Sequence, residues 1–289
     1  MKVIGIISNN EKQEALEISK AVYDYLKQRN IEVLLPNEDV MPERYSLKSV
    51  SQKEFSDKAD AIISVGGDGT FLRASKYSFR NQTPVLGINA GHLGFLTEVD
   101  PENIEQAIND LLKGSYSIEK RMLLEGRLYK DGKLIRNTGL PDTALNEFTI
   151  TRSTIEKVIK MEIVVNDISI KSFVADGIII ATPTGSTAYS LSAGGPVVEP
   201  KAETIIITPI CPHTLFSRSI ILGPDKVLEV RLNSRNEKDI FSVDGKTVAL
   251  SRPSQYLLRV TRSKKQLNLI SFNPNAFFKI FKEKFIERI

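Results

Sequence analysis

A single cysteine, Cys211, and two histidines, His92 and His213, stand among the 289 residues. One thiol excludes an internal disulfide and any cysteine-built zinc site. A His-based nucleophile system needs an imidazole beside a serine and an acid. His213 follows Pro212 and reads as a structural or interface residue, whereas His92 sits in a Gly-flanked loop that could line a site. Dense Lys/Arg blocks are also missing, and the net charge is only +4. Such mild basicity suits phosphate-bearing small molecules rather than nucleic acid. No apolar run approaches the length of a membrane span. The apolar stretch within residues 1–8 is too short for the core of a signal peptide. The expectation is a cytoplasmic protein with no membrane or nucleic-acid partner. Hydrophobic residues at 41% and charged residues at 26% are ordinary for a globular chain long enough for one large domain or two.

What is present is ordered in two styles. Over residues 1–115, buried strand patterns at 3–7, 31–35, 61–65 and 84–88 alternate with helical ones. The first helix carries Ala15, Ile18, Val22, Tyr25 and Leu26 on one stripe, with Asn9 or Asn10 as its cap. Residues 36–51, with Pro36 and Pro42, read as a polar loop. Another helix starts with Asp100 and Pro101 and ends at Gly114. Such alternation predicts an α/β domain with a parallel sheet covered on both faces. From 116 to 272 helical periods vanish and strand-like runs follow, including 204–208, 227–232, 255–260 and 267–272. Lys130-Asp131-Gly132-Lys133 and Val165-Asn166-Asp167-Ile168 have the look of hairpin turns. This region reads as an all-β, sandwich-like domain. Residues 273–289 return to a helix with Phe277, Ile280, Phe281 and Phe285 on one side, a face that should pack back on the first domain.

Two Gly-rich turns follow apolar strands. In Gly66-Gly67-Asp68-Gly69-Thr70 the glycines let backbone N–H groups meet a ligand unobstructed, and a helix starting near Thr70 would favour anions at its N-terminus. The loop is not a Walker A motif, and it lacks the last glycine of a dinucleotide fingerprint. Asp68 would repel phosphate, so it needs a reason. It is either a general base that takes a proton from an attacking hydroxyl or a cap residue in a tight turn. The second stretch runs from Asp176-Gly177 through Thr182-Pro183-Thr184-Gly185-Ser186-Thr187-Ala188-Tyr189-Ser190. Asn146 and Glu147 together offer an amide and a carboxylate able to grip paired ribose hydroxyls, though an Asn-Glu at a strand start can also be satisfied locally.

Gly-Gly-Asp-Gly-Thr resembles a motif shared by NAD kinases, diacylglycerol and sphingosine kinases and 6-phosphofructokinases. Residues 175–198, Asn146-Glu147, Gly87 to Leu96, Cys211 to Leu215 and Ser242 to Lys246 together resemble NAD kinases, over roughly residues 60–250. That resemblance implies transfer of the ATP γ-phosphoryl group to the 2′-hydroxyl of the adenosine ribose of NAD, with the dinucleotide in a cleft between two domains. It implies Asp68 as base, Gly66, Gly67, Gly69 and Thr70 near the phosphates, and Asn146 and Glu147 on the ribose. Thr187, Ala188, Tyr189 and Ser192, on the first turns of a helix after Gly185, would hold the adenine end, with Tyr189 stacking or hydrogen-bonding. Phe95 is a wall for adenine or a core residue. Asp176 is a nucleotide contact or a turn residue, and Asp244 a site contribution or a hairpin turn. The resemblance further implies Mg²⁺ arriving with ATP, since no carboxylate cage of its own is evident, and a homodimer or homotetramer built through the β-rich domain. A catalytically silent NAD(H)-binding sensor and a lipid or sugar kinase are the alternatives.

Overall fold

The computed structural model describes residues 1–37, 49–91, 94–154, 158–214, 217–232, 239–250 and 254–286. Pro42, most of the expected polar loop and His92 lie outside the described residues. The chain divides into two compact units, residues 1–120 with 266–289, and residues 121–265.

The first unit opens with β1 (Val3–Ser8), α1 (Gln13–Lys27), β2 (Glu32–Pro36), β3 (Ser49–Val50), α2 (Gln52–Lys58), β4 (Ala61–Gly66), α3 (Asp68–Ser78) and β5 (Val85–Asn89). A 3-10 turn (Pro101–Asn103) leads into α4 (Ile104–Lys113), which ends at Gly114 with a left-handed φ of 77°. The strands lie parallel in the order β3-β2-β1-β4-β5. Side chains alternate between the sheet faces. Ile4, Ile6 and Ile88 therefore pack under α1 and α4, with Val22, Leu26, Ile108 and Leu111. On the opposite side, Gly5 leaves room for the Phe55 ring of α2, which meets Tyr77 of α3 edge-on at 5.1 Å. Asn9 caps the turn before α1 rather than α1 itself, its Oδ1 accepting the Glu11 amide. The helix begins at Gln13 without a side-chain cap. The short helix α2, capped by Ser51, has too few residues to show an apolar period in the sequence.

The second unit comprises most of β6 (Ser117–Lys130), then β7 (Lys133–Leu134), β8 (Thr143–Ala144), β9 (Glu147–Arg152), β10 (Ile159–Val165), β11 (Ile168–Ala175) and β12 (Gly177–Ala181). A 3-10 turn (Thr184–Thr187), α5 (Tyr189–Ser192), β13 (Ile205–Ile210), β14 (Ile220–Leu222), β15 (Leu228–Leu232), β16 (Asp239–Val243) and β17 (Lys246–Leu250) follow. The last strand is β18 (Tyr256–Ser271) and the last helix α6 (Ala276–Phe285). Two expected strands, 255–260 and 267–272, are thus one strand of 16 residues whose final residues belong to the first unit. One antiparallel sheet runs β14-β13-β12-β9-β16-β17; the other holds β11-β10-β15 and β18. They enclose a single core in which Phe148 and Phe241 stack at 6.1 Å amid Ile150, Ile178, Ile180, Ile207 and Leu258. Each such side chain contributes roughly 1.5–3 kcal/mol on burial. Both expected hairpin turns form with left-handed residues, Asp131-Gly132 and Asn166-Asp167.

Candidate functional site

The strand β4 ends at Gly66, whose φ of 155° suits glycine alone; a Cβ there would run into the Thr70 side chain. Gly67 takes the N-cap position and α3 starts at Asp68, two residues before the expected start. The first N–H groups of a helix lack intrahelical partners, and beyond the adjoining backbone nothing stands within 4 Å of where a Cβ would sit at Gly67 or Gly69, so this turn is open. Asp68 is half-buried. Its Oδ2 accepts the Phe95 amide at 3.0 Å and its Oδ1 the Leu96 amide at 2.9 Å. Gly94 lies so close that any Cβ would strike this carboxylate. The 95–96 segment is held in turn by the chain around it. Ala90 donates to the Gly66 carbonyl at 3.1 Å, and Val99 donates to Gly87 at 3.2 Å. Phe95, expected as a wall for adenine or a core residue, has its ring among side chains of α6: Phe277 at 5.9 Å, Phe285 at 6.0 Å and the Lys284 ammonium at 4.8 Å.

In the second unit Asn146 and Glu147 enter β9 under a clamp. Asp244 sits left-handed (φ 46°) in the β16–β17 turn, and its carboxylate accepts the amides of Leu145, Asn146 and Glu147 at 3.0, 2.8 and 3.1 Å. From the other side Thr182 donates its amide to the Asn146 carbonyl at 2.9 Å and its hydroxyl to the Leu145 carbonyl. Gly185 lies directly on that Asn146 carbonyl, where a Cβ would clash. The backbone of the pair is thereby saturated while the side chains are not. Asn146 Oδ1 and Glu147 Oε2 are buried without a hydrogen-bond partner, in residues each only 7% exposed. Burial, and secondarily the neighbouring Asp244 charge, push the Glu147 carboxyl up to about 8. A buried acceptor pair left open costs stability unless something else meets it.

The segment 184–192 is a 3-10 turn and a one-turn helix rather than a regular helix, because Gly185 must follow the Asn146 backbone and Ala188 (φ −95°, ψ −132°) breaks the run. Thr187 and Ala188 are half-buried; Tyr189 and Ser192 are exposed. A hydroxyl chain, Ser190 to Thr208 to Ser219, with 3.0 Å links, anchors this segment from below. Asp176 stands apart. It precedes β12 while Thr182 follows it, a span of roughly 20 Å along a strand, and its carboxylate pairs with Arg152 at 2.7 Å. The structure therefore gathers Gly66, Gly67, Asp68, Gly69 and Thr70 in one place. It gathers Asn146, Glu147 and Asp244 with the start of 182–192 in another, and Asp176 joins neither. Arg121, buried at 4% with a guanidinium nitrogen 3.4 Å from the Thr184 hydroxyl, was not foreseen. Nothing in its sequence setting marks it.

Known proteins share this architecture. Residues 4–116 match the family model described as the ATP-NAD kinase N-terminal domain, and residues 145–272 match the ATP-NAD kinase C-terminal domain. A protein of Caldanaerobacter subterraneus subsp. tengcongensis named NAD kinase is 39% identical over 290 residues, covering 100% of both chains. A namesake from Moorella thermoacetica is 36% identical over 99% of this chain and 90% of its own. Among solved structures, an NAD kinase from Archaeoglobus fulgidus in complex with ATP superposes with a TM-score of 0.74 at 28% identity, covering 98% of each chain. Yeast NADH kinase complexed with NADH shares the fold with a TM-score of 0.89 at 22% identity, over 98% of this chain and 87% of its own.

Proposed function

The chain belongs to the NAD kinase family, and from that premise we propose that it transfers the γ-phosphoryl group of ATP to the 2′-hydroxyl of the adenosine ribose of NAD, yielding NADP and ADP. The observation that carries the assignment to residues is the open acceptor pair. Asn146 Oδ1 and Glu147 Oε2 are buried, unpartnered and fixed by their backbone. Adjacent ribose hydroxyls are donors of matching number. Asp68 accepts the 2′-hydroxyl proton as that oxygen bonds to the γ-phosphorus and the bond to the β,γ-bridging oxygen breaks. A carboxylate has about four lone-pair sites, so the two amides it already holds leave room for that proton. The open turn at Gly66, Gly67, Gly69 and Thr70 offers amides to phosphate oxygens, and Thr187, Ala188, Tyr189 and Ser192 meet the adenine end. Phosphoryl transfer asks mainly for positioning and charge neutralisation, which this division of labour supplies.

Mg²⁺ belongs with the nucleotide in this reading. No group of three His, Cys, Asp or Glu able to hold a metal occurs among the described residues, and Mg²⁺ keeps phosphate and water ligands readily. It enters as the MgATP substrate. A cytoplasmic setting agrees with the lack, among described residues, of any helix long and apolar enough to cross a membrane. Assembly as a homodimer or homotetramer through the β-rich unit is supported by exposed apolar side chains on its edge strands: Ile168 and Ile170 on β11 and Ile221 on β14. Light scattering at working concentration should report two or four chains; a monomer would overturn this.

The deciding assay mixes the protein with NAD, ATP and Mg²⁺ and reads NADP through a strictly NADP-dependent dehydrogenase. NADP should accumulate with ATP consumed one for one. NAD bound in calorimetry without NADP formed would instead make the protein a dinucleotide sensor.

A further inference from the structure

Phe95 belongs both to the segment that grips Asp68 and to the aromatic face of α6. Its amide donates to Asp68 Oδ2 and that of Leu96 to Oδ1. Its ring stacks on Phe285 at 28°, lies tilted against Phe277, and carries the Lys284 ammonium overhead. Phe281 ties the two helix rings together, 6.3 Å from Phe277 and 5.2 Å from Phe285. Ile280, buried at 6%, anchors α6 in the unit. From this continuous line of contacts we propose that α6 positions Asp68 for the reaction. Phe277 and Phe285 fix the Phe95 ring, and the Phe95 and Leu96 amides fix the carboxylate. The inference rests on Asp68 being the proton acceptor.

The physical need for such a support is local. Asp68 opens a helix at a turn of three glycines, so its own surroundings restrain its side chain little. The restraint comes from two amide donors, and these follow Gly91 and Gly94, where the backbone adds no side-chain packing of its own. Gly94 is required to be bare, since the carboxylate occupies the space a Cβ would take. Rigidity must therefore be imported, and the rings of α6 supply it to the first residue after Gly94. Phe277 and Phe285 are positioning residues; neither touches the reacting atoms in this account.

The test compares wild type with the pair Phe277→Ala/Phe285→Ala, the conservative pair Phe277→Leu/Phe285→Leu, and Lys279→Ala on the exposed side of the helix. For each, kcat, KM for NAD and ATP, and hydrogen exchange at the Phe95 and Leu96 amides are measured. The alanine pair should lower kcat by about 10- to 100-fold with both KM values near wild type, as expected for a misplaced catalytic group. Exchange at the two amides should accelerate. The leucine pair should recover most of the rate, and Lys279→Ala should match wild type. If the alanine pair fails to fold, Phe285→Leu and the leucine pair carry the comparison. Unchanged kcat with faster exchange, or lost kcat with unchanged exchange, overturns the proposal. Repeating the pair in Asp68→Asn separates it from its premise. There the helix substitutions should cost no further rate, because coupled sites are not additive. Equal losses in both backgrounds overturn the role of α6, whereas near-wild-type turnover in Asp68→Asn alone overturns the base.

Discussion

Asp68→Asn is expected to lower kcat by roughly 10²- to 10⁴-fold, the usual loss when a general base is removed, with NAD affinity close to that of wild type. The substitution also has a geometric consequence. Two amides meet two oxygens at Asp68, one each. An asparagine has one oxygen, so one amide must face an NH₂ group, at a cost of about 1–3 kcal/mol if it stays buried. The loss of rate and the loosening of residues 95–96 therefore arrive together. Comparison with the Phe277→Ala/Phe285→Ala pair divides them: loosened amides with Asp68 intact give the smaller loss of kcat, and the remainder belongs to the base. Turnover near that of wild type would eliminate Asp68 as proton acceptor.

Glu147→Gln should do the reverse to stability and binding, stabilising the free protein while weakening NAD. Burial holds the Glu147 carboxyl at about 8, far above the ordinary 4.5 of a glutamate. Below pH 4.5 both folded and unfolded states are protonated there and the group is neutral to stability. Between 4.5 and about 8 the unfolded chain has released a proton that the folded chain still holds, so stability falls as pH rises. Above about 8 the loss is complete, on the order of 3–5 kcal/mol for a shift of this size. Glutamine resembles the protonated acid and does not titrate. The variant should thus match wild type in melting temperature near pH 4 and exceed it at pH 8 to 9. A constant difference across pH would sink the electrostatic account. Ribose hydroxyls donating to the carboxylate favour its charged form. NAD should therefore bind with release of a proton near pH 7 and more tightly as pH rises through 8. Calorimetry in buffers of differing ionisation enthalpy reads that proton directly, and Glu147→Gln should lose both the proton and most of the affinity.

Much of this was legible in the sequence because the signals are local. Left-handed pairs such as Asn166-Asp167 announce their turns, Gly114 announces a helix end, and strand–helix alternation announces a parallel sheet. The Gly-rich turn at 66–70 and the Asn146-Glu147 pair were visible for the same reason. What stayed hidden depends on partners distant in sequence. Asp244 read as a site contribution or a hairpin turn; it does sit in the turn, and its carboxylate meets amides about a hundred positions earlier. Asp68 read as a general base or a cap residue, and nothing in the sequence disclosed the two amides that hold it. Phe95 read as a nucleotide wall or a core residue, and its partners come from the far end of the chain. The cap assigned to Asn9 or Asn10 failed because a single Asx turn inserted before α1 moved the helix start to Gln13.

The separation of those partners also orders the birth of the site on the ribosome. Asp68 finds its amides 27 and 28 residues downstream, so that turn can close early in synthesis. The Asn146-Glu147 ridge must wait for Asp244, 97 to 99 residues on, and until then its three amides and the strand β9 stand without the neighbour that fixes them. Contacts of such range are formed late and slowly. A chain arrested between residues 96 and 244 would therefore carry both amides that grip Asp68, without the α6 rings behind them, and no Asp244 clamp on the Asn146-Glu147 pair. If the Asn146-Glu147 pair holds the ribose as proposed, that part of the site is completed in a late step, when the hairpin of β16 and β17 docks on β9.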